Sequence, residues 1–190
     1  MNNVFKITLA AALIMSAAST AQAASTGEIK FNGLIISDSC DIKIEQGTNN
    51  YTVAFLPTYP ADYTGDGDEG TTEDFIMELT GCEPGTLTGV SAAFTGNAMG
   101  TDNAILKPDN SSTARNVGIR LYSKHDITAG EVVVKFDGSR PAIGFAQFQD
   151  EIGNKKKATL KYTAKVVQVG ADAPTPGNYT ASATYELVYN

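Results

Sequence analysis

The sequence predicts an all-β fold, a single sandwich of short strands, on three observations. Apolar and polar residues alternate with a period of two along most of the chain, as in strands that have one face on a core and one in water. Turn-forming sequences such as Glu83-Pro84-Gly85 and Asp137-Gly138 separate the alternating runs. No run has the spacing of a long helix. Many short strands separated by turns are typical of a β-sandwich.

Four strands are predicted most clearly by this alternation. Within each run the apolar residues share one parity, so one face of every strand is expected to lie on the core. The runs cover residues 75–80, 117–122, 158–166 and 179–190. The last run carries Tyr185, Leu187 and Tyr189 on its apolar face, and Asn190 follows them.

Another alternating segment, Gly27–Ile35, precedes the first cysteine. Its Ile29, Phe31, Gly33 and Ile35 share one parity, so all four can face one groove. The last strand of the chain is amphipathic and has no strand after it. These two incomplete ends suggest a β-domain completed by a strand from another molecule, and so a protein that polymerises. The arm pattern alone also fits an ordinary edge strand of the chain's own domain.

Residues 1–23 have the composition of a secretion signal. Lys6 supplies positive charge, an apolar run follows, and Ala21-Gln22-Ala23 is a small-x-small cleavage sequence. The apolar run is shorter than the roughly 20 residues that a membrane-spanning helix needs. The mature chain is then expected to consist of an arm at 24–36 and one domain at 37–190, long enough to bury its own core.

Cys40 and Cys82 are the only cysteines of the chain. In an exported protein an even pair most often forms one disulfide. Closing this loop is expected to stabilise the fold by roughly 4 kcal/mol in the chain-entropy description. A metal site is a poor alternative, since the cysteines are far apart and the chain has one histidine. A redox pair is also disfavoured, because there is no Cys-x-x-Cys sequence.

Acidic residues concentrate at 62–74, within a segment from Pro57 to Asp74 that is predicted to be a solvated loop. Asp66-Gly67-Asp68-Glu69-Gly70 suggests a calcium loop but lacks the glycine and glutamate spacing of an EF-hand. The net charge of −7 and the lack of a dense basic patch argue against nucleic acid as a partner. The basic run at 155–157 follows Gly153-Asn154 and is interpreted as a solvated turn.

Side chains suited to catalysis are sparse. His125, the only histidine, is expected in an exposed loop at a strand end. There is no Gly-x-Ser-x-Gly and no His-Glu-x-x-His sequence, and the carboxylates cluster in the predicted loop. The sequence therefore favours a structural or binding protein over an enzyme, and no cofactor or metal ligand is expected.

Several blocks of the sequence, in order, match one known pattern. They are Gly27-x-Ile29-x-Phe31-x-Gly33-x-Ile35 before Cys40, Phe75-x-Met77-x-Leu79-x-x-Cys82, Ala114-Arg115-Asn116-Val117-Gly118-Ile119-Arg120-Leu121, and Leu160-x-Tyr162-x-Ala164 with Gly170 before a last strand that has Tyr189 next to its end. Behind a secretion signal, this order resembles the structural pilins of bacterial chaperone–usher fimbriae of the type 1 pilus kind. The resemblance covers nearly all of the mature chain, and the acidic segment at 62–74 departs from it.

The resemblance implies an immunoglobulin-like sandwich that lacks its last strand and is completed in trans by a donor strand. A periplasmic chaperone would lend a strand first, and at an outer-membrane usher the arm of the next subunit would replace it. The subunit would thus pass through the periplasm into a head-to-tail homopolymer, an adhesive fimbria on the bacterial surface. The implied donor residues are Ile29, Phe31, Gly33 and Ile35, and the implied groove edge and chaperone contacts are Tyr185, Leu187, Tyr189 and the carboxylate of Asn190.

Two other functions stay open on the sequence alone. One is a single-domain minor, adaptor or tip subunit that binds a receptor, with the acidic loop as the candidate binding element. The other is a secreted inhibitor or a periplasmic β-sandwich unrelated to pili. Tip adhesins of this family usually carry a separate receptor domain and lack a donor arm, so the arm before Cys40 favours a shaft or adaptor subunit.

Overall fold

The computed structural model describes residues 40–100, 102–126 and 128–190, all within the compact unit Ile35–Asn190. The predicted signal and donor arm, with Ile29, Phe31, Gly33 and Ile35, lie outside the described residues. None of the described helices is long and apolar enough to cross a membrane. The described helix is a three-residue 3-10 turn, Pro60–Asp62.

Eleven strands make up almost all of the described secondary structure. Their bounds are β1 Asp41–Ile44, β2 Glu69–Cys82, β3 Gly89–Gly96, β4 Ala98–Met99, β5 Ile105–Leu106, β6 Val117–Ser123, β7 Val132–Val133, β8 Ala146–Gln147, β9 Gln149–Asp150, β10 Lys156–Gln168 and β11 Ala183–Tyr189. The all-β prediction is therefore confirmed, and each of the four predicted strands is present. The last begins at Ala183 and not at Tyr179, because Thr180 and Asn178 bond instead to an irregular segment at 109–114.

The strands form two antiparallel sheets. The larger has the order β1-β2-β10-β6-β5-β4, with β7 on β6 and β9 on β10, and the smaller has the order β11-β3-β8. The apolar faces of the two sheets meet in one core. Tyr162 of β10 lies at its centre, with its ring 5.3 Å from the ring of Phe75 and 5.3 Å from the ring of Phe94 on β3. Fully burying a large apolar side chain in such a core is worth about 1.5–3 kcal/mol.

The predicted disulfide between Cys40 and Cys82 is present. It joins the residue before β1 to the last residue of β2, its antiparallel neighbour in the larger sheet. Both cysteines are buried, and they are 42 positions apart in the sequence. A loop of that length corresponds to roughly 4 kcal/mol of stabilisation.

β2 begins at Glu69, so the interpretation of 57–74 as one solvated loop is wrong for its last residues. The Glu69 carboxylate lies 3.2 Å from the guanidinium of Arg120 and 2.8 Å from the ammonium of Lys165, and it accepts a hydrogen bond from the Tyr122 hydroxyl. Partial burial favours the neutral acid, but these hydrogen bonds outweigh it and lower the pKa of Glu69. The acidic composition predicted a solvated loop, because the cations that pair with Glu69 come from β6 and β10, which are far away in the sequence.

Two acidic residues before β2, Asp66 and Asp68, accept hydrogen bonds from backbone amides. Asp66 accepts a hydrogen bond of 2.7 Å from the Gly170 amide, and Asp68 accepts one of 2.6 Å from the Thr64 amide. Hydrogen bonds from Thr64 lower the pKa of Asp68. Across the described part of the chain, no group of His, Cys, Asp and Glu side chains is placed to hold a metal ion. Asp68 therefore closes a local turn, and Asp66 joins this segment to the loop after β10.

His125 lies in the loop after β6, as the sequence predicts, but it is half-buried and not exposed. Its Nε2 is 2.6 Å from the Gly144 carbonyl, and its ring meets the Tyr162 ring edge-on at 5.4 Å. Burial lowers the pKa of the imidazole, against the raising effect of its backbone hydrogen bonds. Polar neighbours in the sequence made this position resemble a solvated turn, whereas the loop folds back over the core.

Candidate functional site

An open groove of about 890 Å³ lies between the end of the chain and the segment that follows β1. Its floor consists of core side chains from both sheets, including Met77, Phe94, Ile119 and Val166. Every residue lining the groove in the described part of the chain is uncharged. Since an unpaired charge is costly to bury, the groove suits an apolar, uncharged occupant.

One wall of the groove is the edge strand β11 with the segment before it. β11 pairs with β3 on one side, and no described strand pairs with its other side. The Asn190 amide donates to the Gly89 carbonyl at 3.0 Å, and the Asn190 carbonyl accepts from Thr88 at 2.9 Å, so the backbone of Asn190 faces β3. Alternate residues of a strand direct these groups to opposite sides. The backbones of Tyr185 and Leu187 therefore face away from β3, and Tyr185 lines the groove.

The side chains of β11 follow the same alternation. Tyr185, Leu187 and Tyr189 are half-buried and pack against the core. The Tyr189 ring is nearly parallel to the Phe148 ring, at 6.3 Å, and its carbonyl accepts a hydrogen bond from the Arg140 guanidinium. The predicted apolar face of this strand thus lies on the core. Its predicted contact with a chaperone, like that of Asn190, stays a prediction.

The opposite wall is a segment at 51–57 that sequence reasoning missed. Burial alternates along it, with Val53 and Phe55 half-buried against the core and Ala54 and Leu56 exposed. Within the described chain, the backbone of 51–57 makes no hydrogen bond. It therefore offers a second row of backbone donors and acceptors beside the groove. The alternation of Tyr51, Val53 and Phe55 was the available signal.

Contacts at both ends of the groove give the relative direction of the two walls. The Tyr185 hydroxyl donates to the Asn49 carbonyl at 3.0 Å, and the Phe55 ring lies 6.2 Å from the Tyr179 ring. The segment at 51–57 therefore runs antiparallel to the end of the chain. Burial raises the pKa of Tyr179 to about 12, so its hydroxyl stays neutral at physiological pH.

The geometry is that of a sandwich with a gap for one strand. The gap is apolar on its floor and has backbone hydrogen-bonding groups along both walls. A peptide in extended conformation would place alternate side chains on the floor and pair its backbone with the walls. The same exposed edge and apolar surface would make a subunit with an empty groove prone to aggregation.

Comparison with known proteins gives one consistent family. The family model described as "Fimbrial protein" matches residues 29–190. The S-fimbrial protein subunit SfaA of Escherichia coli O6:K15:H31 is 29% identical over 183 residues, which is 94% of this chain and 93% of that protein. The F17 fimbrial protein of Escherichia coli is 31% identical over 191 residues, with 97% and 98% covered.

Two solved structures share the fold. The crystal structure of the P pilus rod subunit PapA matches with a TM-score of 0.54 at 22% identity, over 79% of this chain and 99% of PapA. The structure of a chaperone–usher pilus matches with a TM-score of 0.55 at 22% identity, over 88% of this chain and 97% of the other. These likenesses agree with the incomplete immunoglobulin-like sandwich expected from the sequence.

Proposed function

We propose a mode of assembly for this chain, which belongs to the fimbrial protein family and is a structural subunit of a surface pilus. The arm at residues 24–36 of one subunit enters the groove of the next and completes its sandwich as an added strand. The observation that carries the proposal is the apolar groove between two backbone edges, β11 and the segment at 51–57. Members of the family are structural subunits, so we propose no enzymatic activity.

We propose the direction of the added strand from the pairings of the smaller sheet. The described pairings of the sandwich are all antiparallel, so an arm that extends the smaller sheet runs antiparallel to β11. Its Ile29 end then lies towards Tyr189 and its Ile35 end towards Tyr179. Each backbone hydrogen bond gained along the walls contributes about 0.5–1.5 kcal/mol net.

The side chains of the arm match the floor. Ile29, Phe31 and Ile35 share one parity and would enter an uncharged, apolar groove together. Burying three such side chains is worth about 5–9 kcal/mol. Gly33 shares that parity, and we propose that it lies where the groove is too shallow for a Cβ atom.

An exposed apolar groove would favour aggregation of the subunit before assembly, which supports a role for a chaperone during export. We propose that residues 1–23 direct export to the periplasm, where a chaperone covers the groove until an outer-membrane usher exchanges it for the arm. The chaperone would pair with β11 over Tyr185, Leu187 and Tyr189 and hold the Asn190 carboxylate. A disulfide between Cys40 and Cys82 fits an oxidising compartment of this kind.

The test compares two single substitutions in the arm that each add one negative charge. Phe31→Asp would place a carboxylate in the uncharged groove, at a cost of several kcal/mol. Asn32→Asp has the opposite parity and would face away from the groove. We expect Phe31→Asp to abolish detergent-resistant polymers in electrophoresis and fibres in electron microscopy, and Asn32→Asp to preserve both. Normal fibres from Phe31→Asp would refute donor-strand exchange through this arm.

A further inference from the structure

We propose a second contact between neighbouring subunits, at the rim of the groove and apart from the contacts of the arm itself. Leu56 and Tyr59 of the subunit that receives the arm pack against Ile152 of the subunit that donates it. This inference rests on the donor-strand exchange proposed above. The occupant of each apolar patch is thus a second copy of this chain.

The receiving patch lies beside one end of the groove. Leu56 and Tyr59 are each 69% exposed, although both are large and apolar. They follow Phe55, whose ring contacts the Tyr179 ring across the groove. The Asp62 carboxylate accepts hydrogen bonds from the Thr58 hydroxyl at 3.0 Å and from the Tyr59 amide at 2.8 Å. This closed turn holds the patch in place at the rim of the groove.

The donating patch lies beside the disulfide. Ile152 is 95% exposed, in the turn between β9 and β10. The turn is closed by a hydrogen bond of 2.9 Å from the Glu151 amide to the Lys155 carbonyl. It is also tied to the end of β2, because the Gly81 amide donates to the Glu151 carboxylate at 2.7 Å. The turn that carries Ile152 is therefore joined to the end of β2, where Cys82 lies.

The covalent chain brings these two patches together. Four residues separate Ile35, the last groove residue of the arm, from Cys40. Five residue steps span at most about 18 Å even when fully extended. The disulfide fixes Cys40 beside Cys82, so the donor's domain must begin within that distance of the groove end that holds Ile35.

The direction of the arm selects which groove end this is. Antiparallel to β11, the arm leaves the groove at the Tyr179 end, where Leu56 and Tyr59 lie. The donor surface that arrives there is the disulfide end of its domain, which carries Ile152. Exposed apolar side chains that meet in this way lose contact with water. The patches lie on different parts of the subunit, so the contact is heterologous and propagates along a filament.

Cross-linking within assembled fibres tests the contact directly. Fibres of the double variant Tyr59→Cys/Ile152→Cys are treated with a short bismaleimide and then dissociated by heating in detergent. We expect a ladder of covalent multimers. Each single variant should give monomer alone. The matched control Val133→Cys/Ile152→Cys, which uses an exposed aliphatic residue on β7, should also give monomer. Monomer alone from the Tyr59/Ile152 pair, or an equal ladder from the control pair, would overturn the proposal.

Fibre stiffness gives a second measurement. Ile152→Asp leaves the arm and groove intact, so detergent-resistant polymers should form at wild-type yield. Without the apolar contact, the link between domains should swing more freely, and the persistence length in electron micrographs should fall. Val133→Asp is the control and should leave it unchanged. Fibres of Ile152→Asp as stiff as wild type would contradict the contact.

The two proposals fail in different ways. Normal fibres from Phe31→Asp would remove donor-strand exchange itself. Fibres that require Phe31 but give no Tyr59–Ile152 cross-link would overturn only the second contact.

Discussion

Replacing Val53 with aspartate would test the groove wall that the sequence did not reveal. Val53 is half-buried, faces the core side of the segment at 51–57, and lines a groove with no charged lining residue among those described. In an unfilled groove, an aspartate here could still reach water. Once an arm is docked, the carboxyl group would be enclosed between apolar side chains.

The cost at neutral pH can be estimated from the titration of aspartate. An enclosed carboxyl group avoids an unpaired charge by taking up a proton, which for an ordinary pKa near 3.9 costs about 4 kcal/mol at pH 7. At pH 5 the same step costs about 1.5 kcal/mol. Docking raises the pKa of this group, so the penalty is present above the ordinary pKa and fades as the pH falls towards it. Arm docking would weaken about 1,000-fold at pH 7 and about 10-fold at pH 5.

Polymers prepared from Val53→Asp, Ala54→Asp and wild-type subunits would show this difference. Ala54 is exposed and has the opposite parity, so Ala54→Asp adds the same charge without enclosing it. We expect Val53→Asp alone to lose detergent-resistant polymers at pH 7 and to recover part of them at pH 5. The denaturant midpoint of any polymer should follow the same order. Equal polymer yield from the two variants at pH 7 would refute the assignment of 51–57 as a groove wall.

Three further outcomes are expected. Replacing both Cys40 and Cys82 with serine should lower the free energy of unfolding by roughly 4 kcal/mol and prevent productive chaperone capture, and mass mapping of the exported wild-type protein should find no free thiol. Deleting Leu187 to Asn190 should abolish the chaperone complex, and co-purification at wild-type yield would contradict this role of β11. Glu69→Gln should lower the free energy of unfolding by less than about 1 kcal/mol at neutral pH, since the carboxylate is partly exposed. Because the pKa of Glu69 is lowered, that difference is present above the ordinary glutamate pKa, and denaturation curves should show it vanish as the pH falls through the lowered pKa.

The regular strands could be predicted because their alternation is local. Each of the runs around Phe75, Ile119 and Leu160 has one apolar parity, and the residues of that parity are buried in the structure. The disulfide could be predicted because the chain has only two cysteines. These features need no knowledge of which strand lies beside which.

Features that depend on distant partners could not be predicted. The sequence alone places Glu69 in an acidic loop, because strand pairing is what brings Arg120 and Lys165 beside it. The sequence alone predicts a solvated His125, because its contacts with Gly144 and Tyr162 form only in the folded chain. In both cases the polar residue is satisfied by groups that are remote in sequence.

The groove itself was only half predictable. β11 was recognisable because its amphipathic pattern is long and regular. The alternation at 51–57 is short, ends at a proline and pairs with no described strand, so it gives a weak signal. The strand proposed to pair with this wall is the arm of a neighbouring subunit, so no strand of the same domain reveals it.

The two walls offer different opportunities to separate folding from assembly. In β11, the residues whose side chains pack on the core are those whose backbones face the groove, because both properties share one parity. A substitution at Tyr185 or Leu187 therefore perturbs the subunit and its docking together. The backbone of the segment at 51–57 makes no hydrogen bond within the described chain. Substitutions at Val53 or Phe55 also disturb side chains that pack on the core, but they break no backbone pairing within the described chain. This wall is therefore where docking can be weakened with the smaller loss of subunit stability.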